Sequence, residues 1–186
     1  MRVGTSVLAL LFLGGILLGA VTAPLQGIKA QEWKENVSER NTLLFVCSEA
    51  DCGKEMAEFI DSAKESVHVM IYSFTLEEIG EALVEAKKRG LDVRVVMDEK
   101  MASGEYSLDE WLVEQGLQVR LFDGDGAMHH KIAIVDGEKF STGSFNYSKN
   151  AVAKNRENLL FIYNSELAFE LEEEFEFLWF STAEPE

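Results

Sequence analysis

The stretch Met128-His129-His130-Lys131-Ile132-Ala133-Ile134-Val135-Asp136-Gly137, with Gly143-Ser144-Phe145-Asn146 six residues on, constrains this chain more than any other part of it. Residues 132–135 are a short apolar run, rich in β-branched side chains, that ends in Asp-Gly. That is the pattern of a buried strand entering a tight turn. Successive side chains on a strand point to opposite faces, so His129 and Lys131 share one face and His130 points away. Residues 139–142 read as the returning strand. Gly143-Ser144-Phe145-Asn146 then brings a hydroxyl, an amide and flexible backbone back to the end where His129 stands. Imidazole, ammonium, hydroxyl and carboxamide together suit a phosphate oxyanion.

The rest of the chain supplies a scaffold for that hairpin. Residues 42–47 read as a first strand, and residues 51–64 as a helix with Met56, Phe59, Ile60 and Ala63 on one face. Residues 67–74 read as a central strand, in which His68 is a core or edge residue rather than a catalyst. Thr75 and Glu78 form a capping-box pattern ahead of a helix closed by Gly90. Lys87, Lys88 and Arg89 crowd its last turn and complement the helix dipole, with a contact to phosphate or an anionic surface as the alternative. Residues 91–97 form a strand, Ser107 and Glu110 open another helix that ends at Gly116, and residues 118–122 form the next strand. This alternation predicts an α/β fold, a mixed, largely parallel β-sheet sandwiched between helices. Asp123-Gly124-Asp125-Gly126 reads as a turn, because the other ligands of a calcium loop are missing. Residues 159–163 make a further strand, and residues 165–180 an amphipathic helix whose Phe and Trp side chains pack on the sheet.

Length and composition fit one domain per chain, residues 42–186, after an N-terminal segment 1–28 and a linker 29–41. Arg2 is the sole charge before Lys29, residues 7–21 are almost wholly apolar, and Val21-Thr22-Ala23 resembles a small-residue cleavage site. The segment reads as a signal peptide. The uncharged run 3–28 is also long enough to span a bilayer as an anchor. The expectation is an exported protein, either secreted or held at a membrane with its domain outside the cytoplasm. Cys47 and Cys52, the only cysteines, are spaced for a local disulfide in such a chain, with free thiols or metal ligation as alternatives. Two cysteines and the distant His68 fall short of four zinc ligands. The net charge of −16 repels polyanions at long range, so a nucleic acid would have to be met by a local cationic cleft.

Breaking a phosphodiester without a metal requires a nucleophile, a proton donor for the leaving oxygen, and cations around the phosphoryl oxygens. His129 can attack as neutral imidazole, with Lys131 and Asn146 on the non-bridging oxygens. In-line displacement needs a second group on the far side of phosphorus, and the chain offers no second motif. A twofold homodimer that brings two copies of His129 to one phosphate is the economical solution.

His129, Lys131, Asp136, Gly143, Ser144 and Asn146 match at every specified position the H-x-K-x4-D-x6-G-S-x-N signature of the phospholipase D superfamily, which this chain resembles. Glu157, within Asn155-Arg156-Glu157-Asn158, resembles the acidic position that follows the motif. The resemblance implies the phospholipase D/nuclease fold, a phosphohistidine intermediate and an active site shared by a homodimer, without a cofactor or metal. It also implies that Glu157 orients the His129 ring, that Ser144 supports the phosphate, and that Asp136 is structural or polarising. Short single-motif members look like endonucleases, so the expected substrate is DNA or RNA. The alternatives are a phospholipase D acting on phosphatidylcholine or cardiolipin, other phosphodiesters, and a non-catalytic nucleic-acid or membrane-binding module, with membrane association through residues 1–28 where that segment is retained.

Overall fold

The computed structural model describes residues 41–47 and 51–182; the expected leader and nearly all of the linker lie outside them. Seven strands form one sheet in the order β1-β7-β6-β5-β2-β3-β4. In chain order these are β1 (Thr42–Val46), α1 (Cys52–Asp61), β2 (Ser66–Ile71), α2 (Glu77–Lys88), β3 (Asp92–Asp98), α3 (Glu99–Ala102), α4 (Asp109–Glu114) and β4 (Gln118–Phe122). There follow β5 (Lys131–Val135), β6 (Lys139–Gly143), α5 (Lys149–Ala153), β7 (Asn158–Tyr163) and α6 (Ser165–Ser181). Among the described residues no helix is long and apolar enough to cross a membrane.

Alternation along the strands separates two apolar layers. Val67, Val69, Ile71, Val93, Val95, Ala133, Val135 and Phe161 face α1 and α2, while Met70, Val96, Ile132, Ile134 and Phe140 face Phe175, Leu178 and Trp179 of α6. Because both faces are covered, β5 is buried at all five positions. The mixed sheet between helices is present, but it is not largely parallel. Only β2–β3 and β3–β4 pair in parallel, and the other four pairings are antiparallel. The reason is local: a loop rather than a crossover helix follows β4, so β5 returns antiparallel beside β2. Its hairpin to β6 turns at Asp136 and Gly137, both with positive φ (57° and 60°), as the twist-matched hairpin turn requires.

Several boundaries differ from the sequence expectation. β2 ends at Ile71, and Phe74 instead forms a parallel bridge with Tyr147. The capping box at Thr75 and Glu78 is absent. Leu76 is the N-cap of α2 with no side-chain cap, because Thr75 Oγ1 accepts from the Lys149 N–H at 3.1 Å. Helix α4 begins at Asp109, and the Ser107 hydroxyl is buried without a partner. At the end of α2, Lys88 pairs with Glu85 at 2.7 Å and Arg89 with Asp61 at 3.5 Å, so those charges serve the helix and its neighbour.

Candidate active site

Strand register gathers the site. Ile71 pairs with Lys131, Gly143 with Leu159 and Val46 with Asn158, so the last residues of β2, β6 and β1 and the first of β5 and β7 meet at one end of the sheet. β5 begins at Lys131, one residue before the apolar run 132–135 read as the strand, and the two faces separate as expected. His129 is exposed with its ring centroid 4.5 Å from that of Tyr72, whereas His130 Nε2 lies 3.6 Å from Glu174 on α6. His68 is buried elsewhere, stacked on Phe175, with Nδ1 2.7 Å from Glu172 and Nε2 2.8 Å from the Arg94 guanidinium.

Lys131 is 7% exposed, and its ammonium donates to the His129 carbonyl oxygen at 2.8 Å and lies 5.1 Å from the Tyr72 ring centroid. Burial pushes its pKa below the ordinary lysine value, and the charge of Glu157 opposes that shift. The Glu157 carboxylate accepts from the Ser144 hydroxyl and, at 2.8 Å, from the Asn155 amide. Ser144 Oγ also accepts from the Asn158 N–H at 3.1 Å, while the Ser144 and Phe145 N–H groups donate to the Asn158 carbonyl oxygen at 3.2 and 3.3 Å. Gly143 is what lets β6 and β7 approach so closely. Its φ is +150°, and a Cβ there would stand 2.3 Å from that same carbonyl oxygen. Asn146, on the loop beyond Phe145, has its Oδ1 buried without a protein partner. Cys47 and Cys52 are bridged, with Cα atoms 5.3 Å apart.

Asp136 does not join this group. It lies at the other end of β5, on the order of 16 Å away at about 3.3 Å per residue. There its carboxylate accepts from the N–H groups of Lys64, Glu65 and Ser66 at 2.8–3.1 Å and fixes the turn into β2. Of the structural and polarising roles expected for it, these contacts supply the structural one, at a distance from the expected catalytic partners His129 and Lys131. Two residues the motif does not contain do belong here. Tyr72, just past β2, lies against both His129 and Lys131 and donates its N–H to the His130 carbonyl oxygen at 2.9 Å. Asp98, 2% exposed at the end of β3, accepts from Met101 N–H at 3.2 Å and Met128 N–H at 3.0 Å, fixing the chain just before His129.

Residues 56–179 match the family described as cardiolipin synthase, PLD-like domain. The chain belongs to the phospholipase D superfamily. Among solved structures, this phospholipase D-like chain superposes on Nuc from Salmonella typhimurium, a phospholipase D family member, with a TM-score of 0.74 and 35% identity, over 77% of this chain and 97% of that one. NucT from Helicobacter pylori gives 0.71 and 28% identity, over 77% of this chain and 98% of that one. Phospholipase D of Rickettsia bellii is 33% identical over 63% of this chain and 58% of its own length. The mitochondrial cardiolipin hydrolase of Mus musculus is 36% identical over 63% and 53% respectively. The chain thus spans little more than half the length of these two relatives.

Proposed function

We propose that this phospholipase D-like chain is a metal-independent phosphodiesterase that cleaves nucleic acid at a site shared by two copies. The observation that carries the reading is the buried ammonium of Lys131 bonded to the main-chain carbonyl of His129, whose exposed ring shares the Tyr72 ring with it, with Ser144 and Glu157 at the same end of the sheet. His129 attacks phosphorus as neutral imidazole, forming a P–N bond while the bond to the leaving oxygen breaks. A protonated His129 of the second copy gives its proton to that oxygen, then takes one from the water that hydrolyses the phosphohistidine. Lys131 and the Asn146 amide hold the non-bridging oxygens, and Glu157 orients the ring pair through the Ser144 corner. The positions of the other two histidines, both turned to α6, support the need for a second copy.

Nucleic acid is favoured because the chain spans 97% of Nuc and, among the described residues, the longest connection at the site is the eight-residue one between β4 and β5. Hydrolysis of phospholipid is the second reading, supported by relatives named phospholipase D and mitochondrial cardiolipin hydrolase. Export, with residues 1–28 as a signal or anchor, is compatible with either. The test is incubation in EDTA with plasmid, single-stranded DNA, RNA, and vesicles of phosphatidylcholine or cardiolipin. Cleavage of nucleic acid alone is expected, release of a lipid headgroup alone moves the assignment to the second reading, and no turnover at all defeats both. Reassociating wild-type chains with an excess of His129→Ala chains is expected to lower activity below simple dilution. A monomer of full activity by light scattering would defeat the shared site.

A further inference from the structure

The disulfide stands at the same end of the sheet as the site. Cys47 follows β1 directly, and its N–H donates to the Glu157 carbonyl oxygen at 2.9 Å, one residue beyond the Val46–Asn158 pair. Among the described residues β1 is a five-residue edge strand, paired on one side only. Ends of such strands open more readily than the core. Cys52 is the first residue of α1, 1% exposed, and α1 is anchored through Phe59, which stacks on Phe161 of β7 with ring centroids 4.3 Å apart. The bridge therefore closes a circuit from α1 through Cys52 and Cys47 to Glu157, along β7 to Phe161, and back to α1. The circuit passes through the main chain of Glu157, whose carboxylate receives the Ser144 hydroxyl and whose charge opposes the downward push of burial on the Lys131 pKa.

We propose that the Cys47–Cys52 bridge is a positioning element for Glu157, so that the redox state of this pair sets the activity of the site. The inference rests on the phosphodiesterase reading. A dithiol reductant supplies two electrons and two protons; the S–S bond breaks, Cys47 and Cys52 become thiols, and the reductant leaves as its own disulfide. The end of β1 then loses its tie to α1, and the hydrogen bond from Cys47 to Glu157 opens more often. A loosely held Glu157 offsets less of the desolvation of protonated Lys131, so the lysine gives up its proton at lower pH.

The experiment compares the oxidised chain, the chain reduced with dithiothreitol, the double variant Cys47→Ser/Cys52→Ser, which keeps the Cys47 N–H, and Glu157→Gln. Expected are a fall in kcat of about 3–10-fold in the reduced chain and the double variant with little change in KM, the pattern of a transition-state group set loose. The basic limb of the pH profile is expected to move down in both, as in Glu157→Gln. Hydrogen exchange at the Cys47 amide is expected to speed up by about fivefold or more on reduction, while β2 and β5 amides keep their protection. Equal kcat and equal limbs in oxidised and reduced chains would overturn the proposal, as would a Glu157→Gln limb that does not move. Where no substrate is turned over, the phosphodiesterase reading has failed and exchange alone decides the positioning. Unchanged protection at Cys47 then refutes it, and faster exchange upholds it.

Discussion

The Lys131 ammonium is hydrogen-bonded, at 2.8 Å, to the main-chain carbonyl oxygen of His129. A cation held to the backbone of the proposed nucleophile is kept close to it, and the Tyr72 ring lies against both side chains. A three-residue span at one strand end and one aromatic just past the neighbouring strand thus form the heart of the candidate site.

Replacing His129 and His130 separates the two faces of that strand end. His129→Ala is expected to abolish turnover, and His130→Ala to retain it within about threefold, since that ring faces Glu174 on α6. Single-turnover assays on both variants check this, and loss in the second alone would reverse the assignment.

Tyr72 meets His129 and Lys131 with its ring, so the ring rather than the hydroxyl is expected to matter. Tyr72→Phe is expected to keep near-normal kcat, and Tyr72→Ala to lose about tenfold by freeing the His129 ring and uncovering Lys131. Steady-state kinetics with thermal denaturation as a folding control decides it, and equal activity in the two variants would dismiss the ring.

The pH profile should carry the mark of Lys131. Burial disfavours its charged form, so the proton required for oxyanion binding is lost as pH rises through a value below that of free lysine. The basic limb of kcat is expected there, and Glu157→Gln, which removes the opposing charge, should move it lower still. A limb unmoved by that variant would show that another group titrates.

At Gly143 the limit is space. Gly143→Ala sets a methyl group 2.3 Å from the Asn158 carbonyl oxygen and should cost about 2–4 kcal/mol of stability while spoiling the Ser144 corner. Denaturant midpoints and kcat are expected to fall together; an unperturbed midpoint would mean that β6 and β7 part easily.

Asp136 should behave in the opposite way. Asp136→Ala leaves the N–H groups of Lys64, Glu65 and Ser66 without their acceptor and should cost about 1–3 kcal/mol, with kcat per folded molecule retained. Activity normalised to the folded fraction checks this, and a lost kcat in fully folded protein would return Asp136 to the chemistry.

The motif could be read from the sequence because its spacing is a strand period plus a turn: His129, Lys131, Gly143 and Ser144 follow from a hairpin alone. Asp136 is the instructive member, since an offset of five along a strand carries a side chain to the other end of it, and fixed spacing marks folding as readily as catalysis. Tyr72 could not be found that way. Its place beside His129 depends on β2 pairing antiparallel with β5, and strand order across a loop leaves no local trace in sequence. The same holds for Thr75, whose hydroxyl was taken from the helix cap by the Lys149 N–H, a group 74 residues away. The proportion of parallel pairing was overestimated for a related reason, because the β2-α2-β3 rhythm does not reveal that β5 turns back.

The hairpin between β5 and β6 runs the length of the sheet, with His129 near one pole and the exposed Glu138 at the other. Two molecules that met head to head at their histidines would carry their Glu138 turns outermost. Spin labels placed there would report such a pairing as a long interlabel distance, without touching any atom that takes part in it.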